Sequence, residues 1–208
     1  MTLGVLLSPG AIAATVVVKD GNIFLIDRGP NTQLTSSGHD SQATLSPDGK
    51  VVAFVRTDES KAIAQAAWGG DIHAAQILTM PSAGGKTNPM ISAGDPCGEN
   101  KFLGDFNSLA FLSDSRRLVF QSSWAAVHGS THIIDVQTSK CTLVAGGLTF
   151  SIVKSGEYRD HLLVMLHKYF LAGGSYDWYW LVDSSGKEIG PVGEDEQALE
   201  LFREMYER

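Results

Sequence analysis

One stretch of this chain occurs twice, and the repetition restricts the fold more than any other feature. The first copy is Gln42–Phe54, and the second begins 66 positions later, at Ser108. In the first copy, two short runs rich in β-forming residues flank a Ser-Pro-Asp-Gly turn. Pro47 presets φ to about −65°. Asp48 can bond to nearby backbone groups, and Gly49 tolerates positive φ. The pattern predicts a repeated antiparallel hairpin.

The second copy preserves the strands better than the turn. Asp114 corresponds to Asp48, and Leu118–Phe120 corresponds to the apolar run of the first copy, with no gap between them. Ser113 and Ser115 replace the proline and the glycine. The second turn therefore lacks both its stiff residue and its permissive one, although its strands retain the same pattern.

Further β-prone runs extend each hairpin into a unit of four strands. The units cover residues 42–91, 108–145 and 149–192, and an initial hairpin at residues 15–27 precedes them. Internal periods of roughly 40–50 residues with four strands each are typical of β-propeller blades. We therefore predict an all-β fold: a small or incomplete β-propeller of about four four-stranded blades, spanning residues 15–192.

Two segments depart from the strand pattern. Residues 193–208 carry acidic residues at their start and an apolar stripe at helical spacing, formed by Ala198, Leu201, Phe202 and Met205. This predicts an amphipathic C-terminal helix that packs on the propeller and covers the place of missing strands; docking on another subunit is the alternative. In the first unit we expect a long connection at residues 57–71, with a short helix over Lys61–Ala67.

The first repeat is specific enough to suggest a family. Leu45–Phe54 resembles the Ser-Pro-Asp-Gly-Lys blade repeat of TolB-type β-propellers, and Phe111–Phe120 resembles it in part. The resemblance implies a periplasmic or extracytoplasmic propeller that binds other proteins. It implies no catalytic residue, because this turn is structural in that family.

Charge and the N-terminus restrict the partners and the location. The net charge is −7 without a Lys/Arg cluster, which argues against nucleic-acid binding. No apolar stretch approaches the roughly 18–20 residues of a membrane span. Residues 1–14 combine the apolar Leu3–Leu7 with an Ala-x-Ala pattern, so we interpret them as a signal-peptide remnant without its basic part. An apolar first strand is the alternative. The expected location is periplasmic or secreted.

The two cysteines, Cys97 and Cys141, leave two alternatives open. In an exported protein they could form a disulfide across a long loop. Two separate thiols fit the sequence equally well. Neither belongs to a Cys-x-x-Cys motif, so thiol redox catalysis is not expected.

The connections between the second and third strands of each unit carry large aromatic residues beside glycine. If the hairpin turns lie on one rim, these connections emerge on the opposite rim. Aromatic residues are favoured at protein interfaces. We therefore hypothesise a binding face formed by Trp68, Trp124, His128, Tyr169 and Phe170. The alternative is that each aromatic side chain packs on the blade below it.

Catalytic patterns are weak by comparison. The sequence contains no nucleophile elbow, P-loop or dinucleotide fingerprint. Four histidines could ligate a metal at a propeller centre, namely His73, His128, His132 and His161. Ordinary hydrogen-bonded histidines are the favoured interpretation, so no cofactor or metal is predicted.

The favoured function is a non-enzymatic protein-binding propeller, either an envelope scaffold or an inhibitor or immunity protein. A homo-oligomer is also compatible with the sequence. The alternative is a propeller hydrolase or lyase that acts on a sugar or lactone with a central metal.

Overall fold

The computed structural model describes residues 14–65, 70–99, 102–124, 128–147 and 149–208. Strands dominate these residues, and one helix follows them. The elements are β1 (Thr15–Lys19), β2 (Asn22–Ile26), β3 (Thr32–Gln33), β4 (Asp40–Leu45), β5 (Val51–Gln65), β6 (Gly70–Pro81), β7 (Asn88–Ser92), β8 (Phe106–Phe111), β9 (Arg117–Trp124), β10 (His128–Asp135), β11 (Cys141–Gly146), β12 (Phe150–Ile152), β13 (Leu162–Tyr169), β14 (Ser175–Val182), β15 (Glu188–Gly193) and α1 (Glu196–Tyr206).

The strands form four antiparallel sheets in which each strand pairs with the next one along the chain. The first sheet contains β1–β3, the second β4–β7, the third β8–β11 and the fourth β12–β15. Separate hydrophobic clusters lie between the first and second, the second and third, and the third and fourth sheets. Sheets that pack face to face in chain order are the blades of a propeller. The predicted all-β, incomplete propeller is therefore confirmed, with a first sheet of three strands.

The two sequence copies occupy equivalent places in successive sheets. Gln42 and Ser108 both adopt positive φ, 54° and 55°, where the pairing of the first two strands is interrupted by a bulge. The turns also match, because Ser115 adopts a φ of 59° where Gly49 has 73°. The backbone N–H of Ser108 donates to Oε1 of Gln42 at 3.3 Å, so one bulge contacts the next.

The helix expected over residues 61–67 is wrong in the part of that segment that the structure describes. There β5 and β6 continue as one long hairpin, and the pairing skips from Asp58 to Ala62. Residues 59–61 therefore form a β-bulge, and Oδ1 of Asp58 accepts a hydrogen bond from the backbone N–H of Ser60 at 3.2 Å. The polar run that suggested a helix start instead interrupts a strand.

The C-terminal helix α1 covers the face of the fourth sheet that points away from the third. Oδ1 of Asp195 caps the helix by accepting from the backbone N–H of Ala198 at 2.9 Å. Leu199 and Phe202 are buried against Leu163 and Leu181 of the fourth sheet and against Val153, which follows β12. The predicted amphipathic helix is confirmed, and it occupies the position where a further blade would pack in a ring.

The described sheets form a row with two unlike ends. None of the hydrophobic clusters in the described residues joins the first sheet to the fourth. Ile23 on β2 faces inward, so its neighbours Asn22 and Phe24 face outward, and Ile26 does the same. Val17 lies opposite Phe24 on β1 and therefore shares this outward face. One end of the row is thus covered by α1, and the other presents apolar side chains.

A disulfide joins Cys97 to Cys141 across a sequence separation of 44, with Cα atoms 5.2 Å apart. Cys97 belongs to the connection between the second and third sheets, and Cys141 begins the outer strand of the third sheet. The bond therefore fastens that connection to the third sheet.

Candidate binding surface

The hairpin of β13 and β14 ends in a tight turn that its glycines make possible. The strands pair without a register shift from Leu162 opposite Val182 to Tyr169 opposite Ser175. The turn is closed by a hydrogen bond from the N–H of Phe170 to the carbonyl of Gly174 at 3.0 Å. Gly173 and Gly174 adopt φ of 97° and 86°, which side chains rarely tolerate. The turn is therefore well defined although it is exposed.

Three consecutive apolar residues stand exposed at this turn, and we call them the hairpin tip: Tyr169, Phe170 and Leu171. Their exposed fractions are 75% for Tyr169 and 55% for Phe170, and Leu171 is fully exposed. Single exposed apolar residues are normal, but contiguous ones indicate an interaction site. The hairpin tip is therefore the first candidate surface.

An aromatic ladder supports the tip from one face of the hairpin. The ring of Phe170 lies 4.6 Å from that of Tyr176, and the ring of Tyr176 lies 5.3 Å from that of Trp178. Further down the same face, Nζ of Lys168 lies 3.9 Å from the ring centroid of Trp180. These contacts restrict the side-chain rotamers of the aromatic residues and of Lys168.

The opposite face of the hairpin combines a ring contact with a polar pair. Nδ1 of His167 lies 2.8 Å from Oδ1 of Asp177, directly across the strands. The ring of Tyr169 meets the His167 ring edge-on at 5.0 Å. On the face of the aromatic ladder, Lys168 also forms an ion pair with Glu188 on the neighbouring strand. Apolar contact at the tip, flanked by polar groups, is the composition of a protein interface.

The structure locates the predicted site residues unevenly. Tyr169 and Phe170 belong to the hairpin tip. Trp68 lies outside the described residues. Trp124 ends β9 and pairs through its backbone with His128 at the start of β10, while the side chains of both lie outside the described part. The β5–β6, β9–β10 and β13–β14 hairpins all join the second to the third strand of their sheets, as the hypothesis of a common rim required.

Sequence reasoning missed three members of this surface: Leu171, Tyr176 and Trp178. The signal was present, because aromatic residues at 176, 178 and 180 alternate with a period of two and so share one face of β14.

The proposed metal-binding histidines do not come together where the structure describes them. His132 is fully buried on β10, His73 is exposed on β6, and His161 lies in the turn before β13. The side chain of His128 is outside the described part. Burial lowers the pKa of His132 to about 4. Its ring stacks on Phe120 at 5.1 Å, and its Nε2 lies 2.7 Å from Oγ of Ser130.

A second apolar surface lies at the covered end of the row. A groove of about 370 Å³ runs between β15 and α1. Ile189, Leu201 and Met205 are exposed along it. Both the groove and the hairpin tip expose aliphatic side chains, so the groove can serve as the control surface in binding experiments on the tip.

No protein-family model and no curated protein sequence matches the chain. Solved structures do match it at low identity. A TolB structure from Agrobacterium tumefaciens gives a TM-score of 0.55 at 12% identity, over 88% of this chain and 58% of that one. The β-propeller domain of the Trilobed protease from Pyrococcus furiosus gives 0.54 at 16% identity, over 84% of this chain and 49% of that one. Dipeptidyl peptidase 4 from Porphyromonas gingivalis gives 0.54 at 14% identity, over 88% and 31%.

These similarities define the class of fold, a TolB-like β-propeller. The chain spans between about a third and three fifths of the structures it matches. The same fold occurs in peptidases and in TolB, so it does not decide between an enzyme and a binding protein. In the described residues, no helix has the length and hydropathy that crossing a bilayer requires.

Proposed function

We propose that this chain is a non-enzymatic, protein-binding propeller that docks on its partner through the hairpin tip. The observation that carries the proposal is the exposure of Tyr169, Phe170 and Leu171 on a hydrogen-bonded turn. Water contact with these side chains is unfavourable, and burial in an interface would remove it. Fully burying one such side chain contributes roughly 1.5–3 kcal/mol.

The ordered state of the tip favours binding further. Association is opposed by the entropy lost when side chains and loops become fixed. Phe170 already contacts Tyr176, and Tyr169 already contacts His167. Little freedom remains to be lost there, and aromatic anchors in such positions dominate many interfaces.

The proposed location is extracytoplasmic. The Cys97–Cys141 disulfide supports it, because disulfides persist in oxidising compartments. The fold shared with TolB supports a binding role of the kind that the sequence resemblance implies. An envelope scaffold and an inhibitor or immunity protein both fit such a role, and the identity of the partner separates them.

The test is site-specific photo-crosslinking in the source cells, with the photoreactive residue placed at Leu171. We expect a discrete adduct, whose mass spectrum identifies the partner. Lys86, exposed in the turn between β6 and β7, is the control position and should give none. Equal adducts at both positions, or none at Leu171, would contradict the proposal.

Affinity for the identified partner then tests the surface itself. The double substitution F170S/L171S should weaken binding by about 10-fold or more, since each buried side chain contributes roughly 1.5–3 kcal/mol. The matched control is I189S/L201S, which removes exposed apolar side chains from the groove beside α1. A loss of affinity in the control but not in the tip variant would move the site to that groove.

A further inference from the structure

Both cysteines and one histidine meet beside the core between the second and third sheets. The ligand atoms of Cys97, His132 and Cys141 all lie within 4.8 Å of one another. Cys97 and His132 are buried, and Cys141 is half-buried. No other group of three His, Cys, Asp or Glu side chains at such spacing occurs in the residues that the structure describes. We call this group the Cys97–His132–Cys141 cluster.

We propose that reduction of the disulfide converts this cluster into a metal site with two thiolates and one imidazole, suited to Zn²⁺. Two electrons and two protons from a dithiol or phosphine reductant turn the S–S bond into two thiols. Zn²⁺ then displaces both thiol protons and binds the two sulfurs and one ring nitrogen. Disulfide and metal site exclude each other, because the same sulfurs form both.

The backbone spacing fits the required coordination. Tetrahedral zinc, with Zn–S bonds of about 2.3 Å, holds two sulfurs about 3.8 Å apart. The Cα atoms of Cys97 and Cys141 lie 5.2 Å apart, so a change of side-chain rotamer reaches that separation without moving the strands. Three protein ligands leave a fourth position for water or a small thiol.

The histidine ring is fixed next to the two sulfurs, since its ligand atom lies within 4.8 Å of both of them. The contact of Nε2 with the Ser130 hydroxyl and the stacking on Phe120 fix the ring, as outer contacts do around metal-binding histidines.

The environment of the two cysteines is apolar, and it is open to solvent on the side of Cys141. Cys97 and Cys141 belong to the same hydrophobic cluster as Leu103 and Phe120. An apolar environment strengthens charge interactions between thiolates and a cation. The half-buried Cys141, at the start of the outer strand β11, gives the ion its route of entry.

The test uses the full chain, reduced with a phosphine under argon and titrated with Co²⁺ as a spectroscopic probe. We expect one equivalent to bind, with the visible bands of tetrahedral cobalt and a near-ultraviolet thiolate charge-transfer band. Zn²⁺ should displace the cobalt. His132→Gln should weaken binding at least 10-fold, whereas His73→Gln, on an exposed strand position, should leave it unchanged.

Stability provides a second measurement that does not require the reduced protein to be well folded without metal. A ligand that binds only the folded state raises its melting temperature. Zn²⁺ should therefore stabilise the reduced wild type and leave C97S/C141S unaffected. The proposal is overturned if the reduced wild type binds no cobalt, if the oxidised protein binds it equally, or if His132→Gln binds as tightly as the wild type.

Discussion

The carboxylate of Asp40 has no exposed surface, yet it is held as a charged group. Its two oxygens accept from Nε and an Nη of Arg56 at 2.6 and 3.0 Å, across the first strand pair of the second sheet. Burial raises the pKa of Asp40, but hydrogen bonds from Arg56, Thr35 and Ser37 and the charge of Arg56 outweigh it and lower the pKa overall. The charged form therefore stabilises the folded state.

We predict that Asp40→Asn lowers the free energy of unfolding at pH 7 by roughly 1.5–3 kcal/mol, the range for hydrogen bonds to charged groups. Because the folded-state pKa is depressed, this contribution is complete above the unfolded pKa of about 3.9 and disappears as the pH falls through the folded value. Urea unfolding at pH 7, 5 and 3 measures it.

The control for this experiment is Glu59→Gln, which changes an exposed carboxylate in the bulge of β5. It should leave the urea midpoint close to that of the wild type. A difference between Asp40→Asn and the wild type that grows toward acid pH would contradict the assignment.

At the level of the secondary-structure elements, the start of α1 depends on the single N-cap side chain of Asp195. Oδ1 of Asp195 accepts from the N–H of Ala198 and satisfies one of the amide groups that a helix start leaves unpaired. Asp195→Ala should lower the free energy of unfolding by about 1 kcal/mol. Urea unfolding measures the loss, and amide exchange should accelerate first in α1.

Glu194→Ala is the matched change one residue earlier, since that exposed residue lies outside the cap. It should leave both measurements nearly unchanged. Equal effects of the two substitutions would show that acidic charge near the helix start matters, and not the cap hydrogen bond.

Some of these secondary-structure elements could be predicted from the sequence and others could not. The hairpin over Gln42–Phe54 could be predicted because its turn chemistry and its strand pattern agree. Helix α1 was equally accessible through its apolar stripe. The extensions of β5 and β6 were not, because their polar residues sit in a bulge that only pairing with a partner strand reveals.

The candidate site was predictable only in part. Tyr169 and Phe170 were found because they are aromatic residues next to paired glycines in a connection. Leu171 was missed because an aliphatic residue in a turn has no distinguishing pattern, and its full exposure follows from the turn geometry. The meeting of His132 with the two cysteines depends on how three separate segments pack, which no local pattern encodes.

For the whole molecule, the disulfide contributes through the unfolded chain. It closes a long loop, given the separation of 44 residues between Cys97 and Cys141. Removing it should lower the free energy of unfolding by about 4 kcal/mol on the loop-entropy relation. We predict this loss for C97S/C141S in urea unfolding with a chelator present.

The reduced wild type, also with chelator, is the comparison for that variant and should lose a similar amount. A loss below about 1 kcal/mol in both would mean that the connection between the second and third sheets is held mainly by its core residues, as Cys97 and Leu103 are already buried there.

The two ends of the row of sheets differ in whether a further blade could pack on them. The outward face of the first sheet carries the apolar residues Val17, Phe24 and Ile26, against which another sheet could pack. On the fourth sheet, another blade could pack only if it displaced α1 with its buried residues Leu199 and Phe202. A blade added beside the fourth sheet would therefore lose the contacts that bury Leu199 and Phe202, so α1 opposes extension of the row on that side.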